Sequence, residues 1–284
     1  METISKVDDL CERVARWRAC GRSIGLVPTM GALHAGHMSL IERARKENDV
    51  VVVSVFVNPT QFNNPDDLRT YPRTVEADCG KLRAAGVDVA FVPTVEEIYP
   101  EPDMRVFDLG PVAEVMEGAM RPGHFNGVAQ IVSKLFAMTQ PTRAYFGEKD
   151  FQQIAVIRRM VELEGFDLEI VPCPIMREPD GLAMSSRNVR LSEEQRMVAP
   201  LIHKALAESV GWARDHSVDE TKRYIVETLD SFPHLKVEYY EIVDYLTMQP
   251  VSQWSQSELP VGCITCFCGD VRLIDNIKYT TTQR

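Results

Sequence analysis

The spacing of apolar positions changes period again and again along the first 175 residues. Residues 7–20 repeat on one helical face and stop at Gly21, a residue suited to a helix C-terminus. A short apolar run at 24–28 predicts a buried strand, and 34–46 predicts a helix. Residues 50–57, Val-Val-Val-Val-Ser-Val-Phe-Val, are apolar on both alternating faces, as in parallel strands covered from two sides. Thr74 is placed to cap a helix that runs to Ala85, with Gly86 just past its end, and 87–92 reads as a strand. A helix at 125–139, a strand at 143–146, a helix from an Asp150 cap to Glu164 and a strand at 168–172 complete the alternation. This pattern predicts an α/β fold with a Rossmann-like, doubly wound parallel sheet. Ligands of such sheets bind beyond the carboxyl ends of the strands, where the strand order reverses.

From residue 176 the texture changes. Pro172, Pro174 and Pro179 interrupt regular structure, and Ser192-Glu193-Glu194-Gln195 is a capping box opening a long helix. A helix at 218–231 and strands at 237–243 and 261–274, joined by a polar loop, predict a smaller C-terminal α+β domain. The expected division is therefore 1–174 and 175–284.

Composition narrows the function classes. With 45% hydrophobic and 25% charged residues the chain has the make-up of a soluble globular protein. The apolar run at 50–57 is far too short to span a bilayer. The opening residues lack a signal-peptide layout, so a cytoplasmic location with no membrane partner is expected. A net charge of −10 argues against nucleic-acid binding, which needs a basic field, though not against a small anion. Seven cysteines are an odd number and read as reduced thiols. Cys263 and Cys266 have C-x-x-C spacing. However, they and Cys268 sit in a strand-like run without a second ligand pair, so buried small hydrophobes are expected rather than zinc.

Four clusters carry candidate chemistry. The first, His34-Ala35-Gly36-His37, follows the strand at 24–28 and opens a helix, offering ring N–H donors and unpaired backbone N–H groups to an anion. The second, Asn58-Pro59-Thr60-Gln61-Phe62, ends the most apolar strand. The third, Gly147-Glu148-Lys149-Asp150, is again a strand-to-helix passage, and the fourth is Met184-Ser185-Ser186-Arg187-Asn188, in a mobile-looking loop. Together they supply enough positive charge and hydrogen bonding for a triphosphate and its magnesium. Gly31 and Gly36 have P-loop spacing, yet His37-Met38 stands where Lys-Ser/Thr belongs, and no G-x-G-x-x-G follows the first strand.

The residues carry a resemblance. His34-Ala-Gly-His37 resembles the H-x-G-H signature of the nucleotidyltransferase superfamily, and Met184-Ser-Ser-Arg187 its K-M-S-K-S loop. Further runs at 28–37, 53–62, 71–74, 117–125, 146–153 and 180–188 are similar to the pantoate–β-alanine ligase family over nearly the whole chain. The resemblance implies that ATP and (R)-pantoate form pantoyl adenylate and pyrophosphate. β-Alanine then attacks the acyl carbon, giving pantothenate and AMP. The first domain would bind nucleotide and pantoate, and the second would act as a lid. It implies an ATP site lined by Met30, Gly31, Ala32, Leu33, His34, Ala35, Gly36, His37, Gly147, Glu148, Lys149, Asp150, Met176, Met184, Ser185, Ser186 and Arg187. His34, His37, Lys149, Ser185, Ser186 and Arg187 would act on the phosphates, with His37 the proton donor. Gln61 and Gln153 would hold pantoate, assisted by Asn58, and Asp78 is the magnesium candidate, although Glu76 and Ala77 beside it depart from the family pattern. His124 is read as structural or supporting. A homodimer is implied too. Two alternatives remain at this stage: another H-x-G-H nucleotidyltransferase, which would keep the nucleotide in its product, or a nucleotide-binding module without catalysis.

Overall fold

The computed structural model describes residues 1–279. They divide into two compact units. The first comprises Met1–Leu109, Arg121–Glu148 and Val156–Pro174; the second comprises Gly110–Met120, Lys149–Ala155 and the described residues from Ile175 onward.

The chain opens with β1 (Glu2–Ile4), α1 (Val7–Ala19), β2 (Ile24–Thr29), α2 (Ala35–Glu47) and β3 (Val50–Val55). There follow α3 (Pro65–Thr70), α4 (Val75–Ala84), β4 (Val89–Phe91), α5 (Val95–Ile98) and α6 (Glu117–Met120). Next come α7 (His124–Thr139), β5 (Arg143–Gly147), α8 (Phe151–Glu164) and β6 (Glu169–Cys173). The six strands form one parallel sheet in the order β1-β4-β3-β2-β5-β6. All six residues of β3 are buried, as its valine run predicts. Leu40, Ile41 and Ala44 of α2 and Leu82 of α4 cluster with Val27, Val51, Val53 and Val55. Leu26, Val50 and Val52 alternate with these and are buried as well, with α7 packed on β2 and α1 on α7.

From β2 the chain winds outward through β3 and β4, then resumes on the other side with β5 and β6. The order therefore reverses between β2 and β5, so the carboxyl ends of these two strands flank the place where doubly wound sheets take ligands. The turn after β2 ends at His34 and leads into α2, whose first turn holds His37, and β5 ends at Gly147.

The second unit continues with α9 (Glu193–Val198), α10 (Leu201–Trp212), α11 (Val218–Asp230), β7 (Leu235–Asp244), β8 (Pro260–Cys268) and β9 (Val271–Lys278). Its strands make an antiparallel sheet, β7-β8-β9. Ile202 and Leu206 of α10 and Ile225 of α11 pack with Cys266 and Cys268, whereas Cys263 joins Met116, Phe151 and Val261. The three cysteines thus fill the cores on two faces of one strand, and all seven are free thiols. The capping box at Ser192 is present, but the long helix expected after it breaks at Pro200 into α9 and α10, because proline offers no N–H to the ladder. Asp150 is likewise not an N-cap: it ends a short 3-10 turn, Glu148–Asp150, that runs into α8.

Candidate active site

The turn after β2 is built from backbone hydrogen bonds. Thr29 donates its hydroxyl to Ser54 O (2.6 Å) and accepts the Gly31 N–H (3.2 Å). Gly31 then takes φ +79°, and a Cβ there would lie 3.1 Å from both Asp78 Oδ2 and Val55 Cγ1. The next two N–H groups, of Ala32 and Leu33, donate to the two carboxylate oxygens of Asp78 at 2.9 and 2.8 Å. Thr74 also donates to Asp78 Oδ2 (3.1 Å), and Lys81 holds the Leu33 carbonyl. Asp78 is fully buried. Its carboxylate anchors the turn.

That anchored turn delivers His34 to the N-cap of α2. Its Nδ1 accepts the Gly36 N–H (3.1 Å), and His37 Nδ1 accepts the His34 N–H (3.3 Å). Backbone N–H groups only donate, so both Nδ1 atoms are acceptors and each neutral ring carries its proton on Nε2. The ring centroids are 4.1 Å apart. The first turn of α2 has no acidic residue, leaving the positive end of a 13-residue helix available to an anion.

Gln61 lies in a 3-10 turn, Pro59–Gln61, beyond β3. Asn58, 1% exposed, donates from Nδ2 to Gly127 O (3.2 Å), Thr60 Oγ1 (3.0 Å) and Gln61 Oε1 (3.2 Å), and its Oδ1 accepts from the Tyr99 hydroxyl (2.9 Å). The Asn58 amide thus bridges α7, the residue after α5 and the Gln61 turn, and holds Gln61 in place. The Gln61 amide group points its Nε2 at Met30 Sδ (3.1 Å), a weak acceptor that a carboxylate oxygen outcompetes. His124 Nδ1 lies 2.8 Å from Gln61 O, and Arg121 Nη1 lies 3.2 Å from the same ring's Nε2. The carbonyl only accepts and the guanidinium only donates, so Nδ1 bears the proton and His124 supports Gln61, as expected.

In the second unit, Met176 and Met184 are joined by the Met184 N–H to Met176 O bond (2.9 Å), the base of a hairpin that turns at Gly181 (φ +94°). Ser185 caps the following 3-10 turn, Ser186–Arg190, by accepting the Arg187 N–H (3.2 Å), so the Met184–Arg187 segment is anchored. Met176 is exposed, whereas Met184, Ser185, Ser186 and Arg187 are half-buried. Lys149 and Gln153 are half-buried and Asp150 is exposed, while Gln152 is buried and donates to Val112 O and Val115 O (both 2.8 Å).

Sequence reasoning missed Tyr99 and Gly127, and read Thr74 only as a helix cap, whereas its hydroxyl binds Asp78. Tyr99 and Gly127 act on residues far along the chain and carry no local signal. Thr74 and Asp78 are four apart at the start of a helix, a spacing that puts them on one face. Among the described residues no helix is long and apolar enough to cross a membrane.

A sequence model of the Pantoate-beta-alanine ligase family matches residues 2–278. Pantothenate synthetases of Porphyromonas gingivalis and Bacteroides fragilis are 60% and 59% identical to the chain, covering 98% of it and 99% of each relative. The crystal structure of pantothenate synthetase from Thermus thermophilus matches with TM-score 0.92 at 47% identity, covering 99% of this chain and 100% of that one. The pantoate-beta-alanine ligase of Francisella tularensis, solved with beta-gamma ATP and beta-alanine, matches with TM-score 0.81 at 36% identity over 98% and 97% of the two chains. Likeness of sequence and of fold extends over nearly every residue, and the chain belongs to the pantoate–β-alanine ligase family.

Proposed function

We propose that the chain joins (R)-pantoate to β-alanine through a pantoyl adenylate. The pantoate carboxylate attacks the α-phosphorus of ATP and pyrophosphate leaves. The β-alanine amine then attacks the acyl carbon, loses a proton and expels AMP. A free carboxylate is a poor acyl donor, and adenylation gives it a good leaving group. Most of the protein's work is to place the two reactants and to stabilise charge as pyrophosphate departs.

The observation that carries this reading is the histidine pair. Capping of α2 occupies both Nδ1 atoms, so His34 and His37 carry their protons on Nε2 at the N-terminus of a helix whose first turn holds no acidic residue, beside the strand-order reversal. We assign them to the phosphates, with Lys149, Ser185, Ser186 and Arg187 as further phosphate ligands. Met30 to His37, Gly147 to Asp150, Met176 and Met184 to Arg187 serve as the ATP-binding segments. Gln61, through Nε2, and Gln153 are assigned to pantoate. Magnesium would enter with the ATP phosphates, which supply most of its ligands themselves; no group of three or more His, Cys, Asp or Glu able to hold a metal occurs among the described residues, and no step is assigned to it. Cytoplasmic work is supported by seven free thiols, which suit a reducing compartment. A homodimer rests on the family resemblance, and light scattering of the purified protein tests it.

Pantoate labelled with 18O in its carboxylate tests the route. An acyl adenylate transfers one labelled oxygen to AMP. Unlabelled AMP, or product that retains the nucleotide, would overturn it.

A further inference from the structure

Two neighbouring polar residues of β9, Asp275 and Asn276, each 5% exposed, stand between Ile274 and Ile277. Aspartate and asparagine are depleted in strands, and removing a carboxylate from water is costly unless it is paired. Asp275 is paired. Arg177 clasps it with two bonds, Nη1 to Oδ2 at 2.7 Å and Nη2 to Oδ1 at 2.9 Å, and the Asn276 N–H donates to Oδ1 at 2.8 Å. Arg177 also donates to Gly181 O (3.1 Å), so it locks the turn of the hairpin whose base is the Met176–Met184 pair. Beneath that turn lies the His203 ring, 2.9 Å from where a Cβ on Gly181 would stand. Asn276 donates from Nδ2 to the carbonyl of Lys149 (3.2 Å).

Successive side chains of a strand leave on opposite faces. From adjacent positions, β9 therefore grips one segment on each side: the hairpin that leads into Ser185–Arg187, and the turn that carries Lys149. A buried ion pair is a weak source of stability, since apolar residues of the same volume often serve as well. Fixing geometry is the use it serves better.

We propose that Asp275, Asn276 and Arg177 are positioning residues that hold the Lys149 turn and the Ser185–Arg187 turn in fixed register for the ATP phosphates. This rests on the phosphate-binding role assigned above to those two turns.

The test measures pantoate-dependent ATP–pyrophosphate exchange, which reports adenylation alone, beside steady-state kinetics and thermal melts. The variants are Asp275→Asn, Asn276→Asp and the apolar pair Arg177→Met with Asp275→Leu, with Lys149→Ala for comparison. The apolar pair is expected to melt no lower than the parent yet to raise KM for ATP roughly 10- to 100-fold, the loss a small misplacement of binding groups causes, with KM for β-alanine within about twofold. Asn276→Asp is expected to raise KM for ATP as well. A folded apolar pair with unchanged KM for ATP, or an equal rise in both KM values, would overturn the proposal. Unchanged ATP kinetics in Lys149→Ala would overturn the phosphate role of that turn, and the mount with it.

Discussion

Gly127→Ala is the most economical probe of the pantoate end of the site, because it adds one carbon and replaces no proposed ligand. Gly127 lies in α7 where that helix meets the Gln61 turn. A Cβ at this position would stand 2.3 Å from Thr60 O, 2.5 Å from Thr60 C and 2.7 Å from Gln61 N. All three neighbours are backbone atoms, so no side chain can swing away. Even a close carbon–oxygen approach needs about 3.3 Å, so the turn must retreat by about 1 Å. Retreat stretches three bonds that set Gln61: Asn58 Nδ2 to Gly127 O, Asn58 Nδ2 to Gln61 Oε1, and His124 Nδ1 to Gln61 O.

The stability cost is small, because alanine gains about 1 kcal/mol over glycine inside a helix and overpacking loses about 1–3 kcal/mol. The net loss is roughly 0–2 kcal/mol, which leaves the protein folded. The kinetic cost is larger, since displacing a binding group by about 1 Å costs on the order of 100-fold in rate. Pantoate titrations followed by AMP release should show kcat/KM for pantoate reduced by roughly 100-fold while KM for ATP stays within about threefold. A folded Gly127→Ala protein with kcat/KM for pantoate near that of the parent would refute the claim that the turn's position sets catalysis.

Three further outcomes are expected. His37→Asn keeps an acceptor near Nδ1 for the α2 cap but removes the Nε2 donor, so kcat should fall by roughly 100- to 1000-fold with little change in Tm or ATP affinity; equal losses in turnover and ATP binding would contradict a transition-state role. Asp78→Asn turns one of its two acceptor oxygens into a donor facing the Ala32 or Leu33 N–H, which should cost about 1–3 kcal/mol in urea unfolding; a loss of activity restored by excess magnesium, with stability unchanged, would assign Asp78 to the metal instead of the turn. Asp103 is held down to about 2 by its hydrogen bond from Arg105. Its folded value lies below the unfolded one near 4, so the stabilisation is present above about pH 4 and lost as pH falls toward 2. With the Arg105 side chain 43% exposed, about 1 kcal/mol is at stake, and Asp103→Asn should flatten that limb of an acid unfolding series, whereas parallel curves would dismiss the pair.

Local signals in the chain were legible wherever one residue run decides the outcome. The valines of β3 bury both faces, Gly21, Gly86 and Gly165 each take positive φ just past a helix, and Ser192 with Gln195 forms its capping box. The parallel sheet whose carboxyl edge carries the histidine turn also followed from simple alternation. What the sequence hid was long-range or too short to have a period. β1 is three residues of edge strand paired to β4, with no room to show alternation. The anchoring of the turn by Asp78 was hidden because its partners, the N–H groups of Ala32 and Leu33, are 46 and 45 residues away and belong to the backbone, which no motif displays. The hold of Asn58 on Gln61 was hidden for the same reason, with its partners Gly127 and Tyr99 brought in by α7 and by the segment after α5.

One physical device recurs in the first unit and explains why those hidden partners matter. Imidazoles and amides can present either a donor or an acceptor, and only their surroundings decide which. Here the decision is made by backbone groups, which cannot reverse. The N–H groups of Gly36 and His34 force Nδ1 of both histidines to accept, so the protons stand on Nε2. The carbonyl of Gly127 forces Asn58 to offer Nδ2, which turns Oε1 of Gln61 toward it and leaves the Gln61 Nε2 as the presented group. Three side chains at two separate turns are thereby set as donors without carrying a fixed charge. Phosphates and a carboxylate supply only acceptors, so this polarity suits both reactants. A donor fixed before binding also needs no reorganisation as negative charge shifts during reaction.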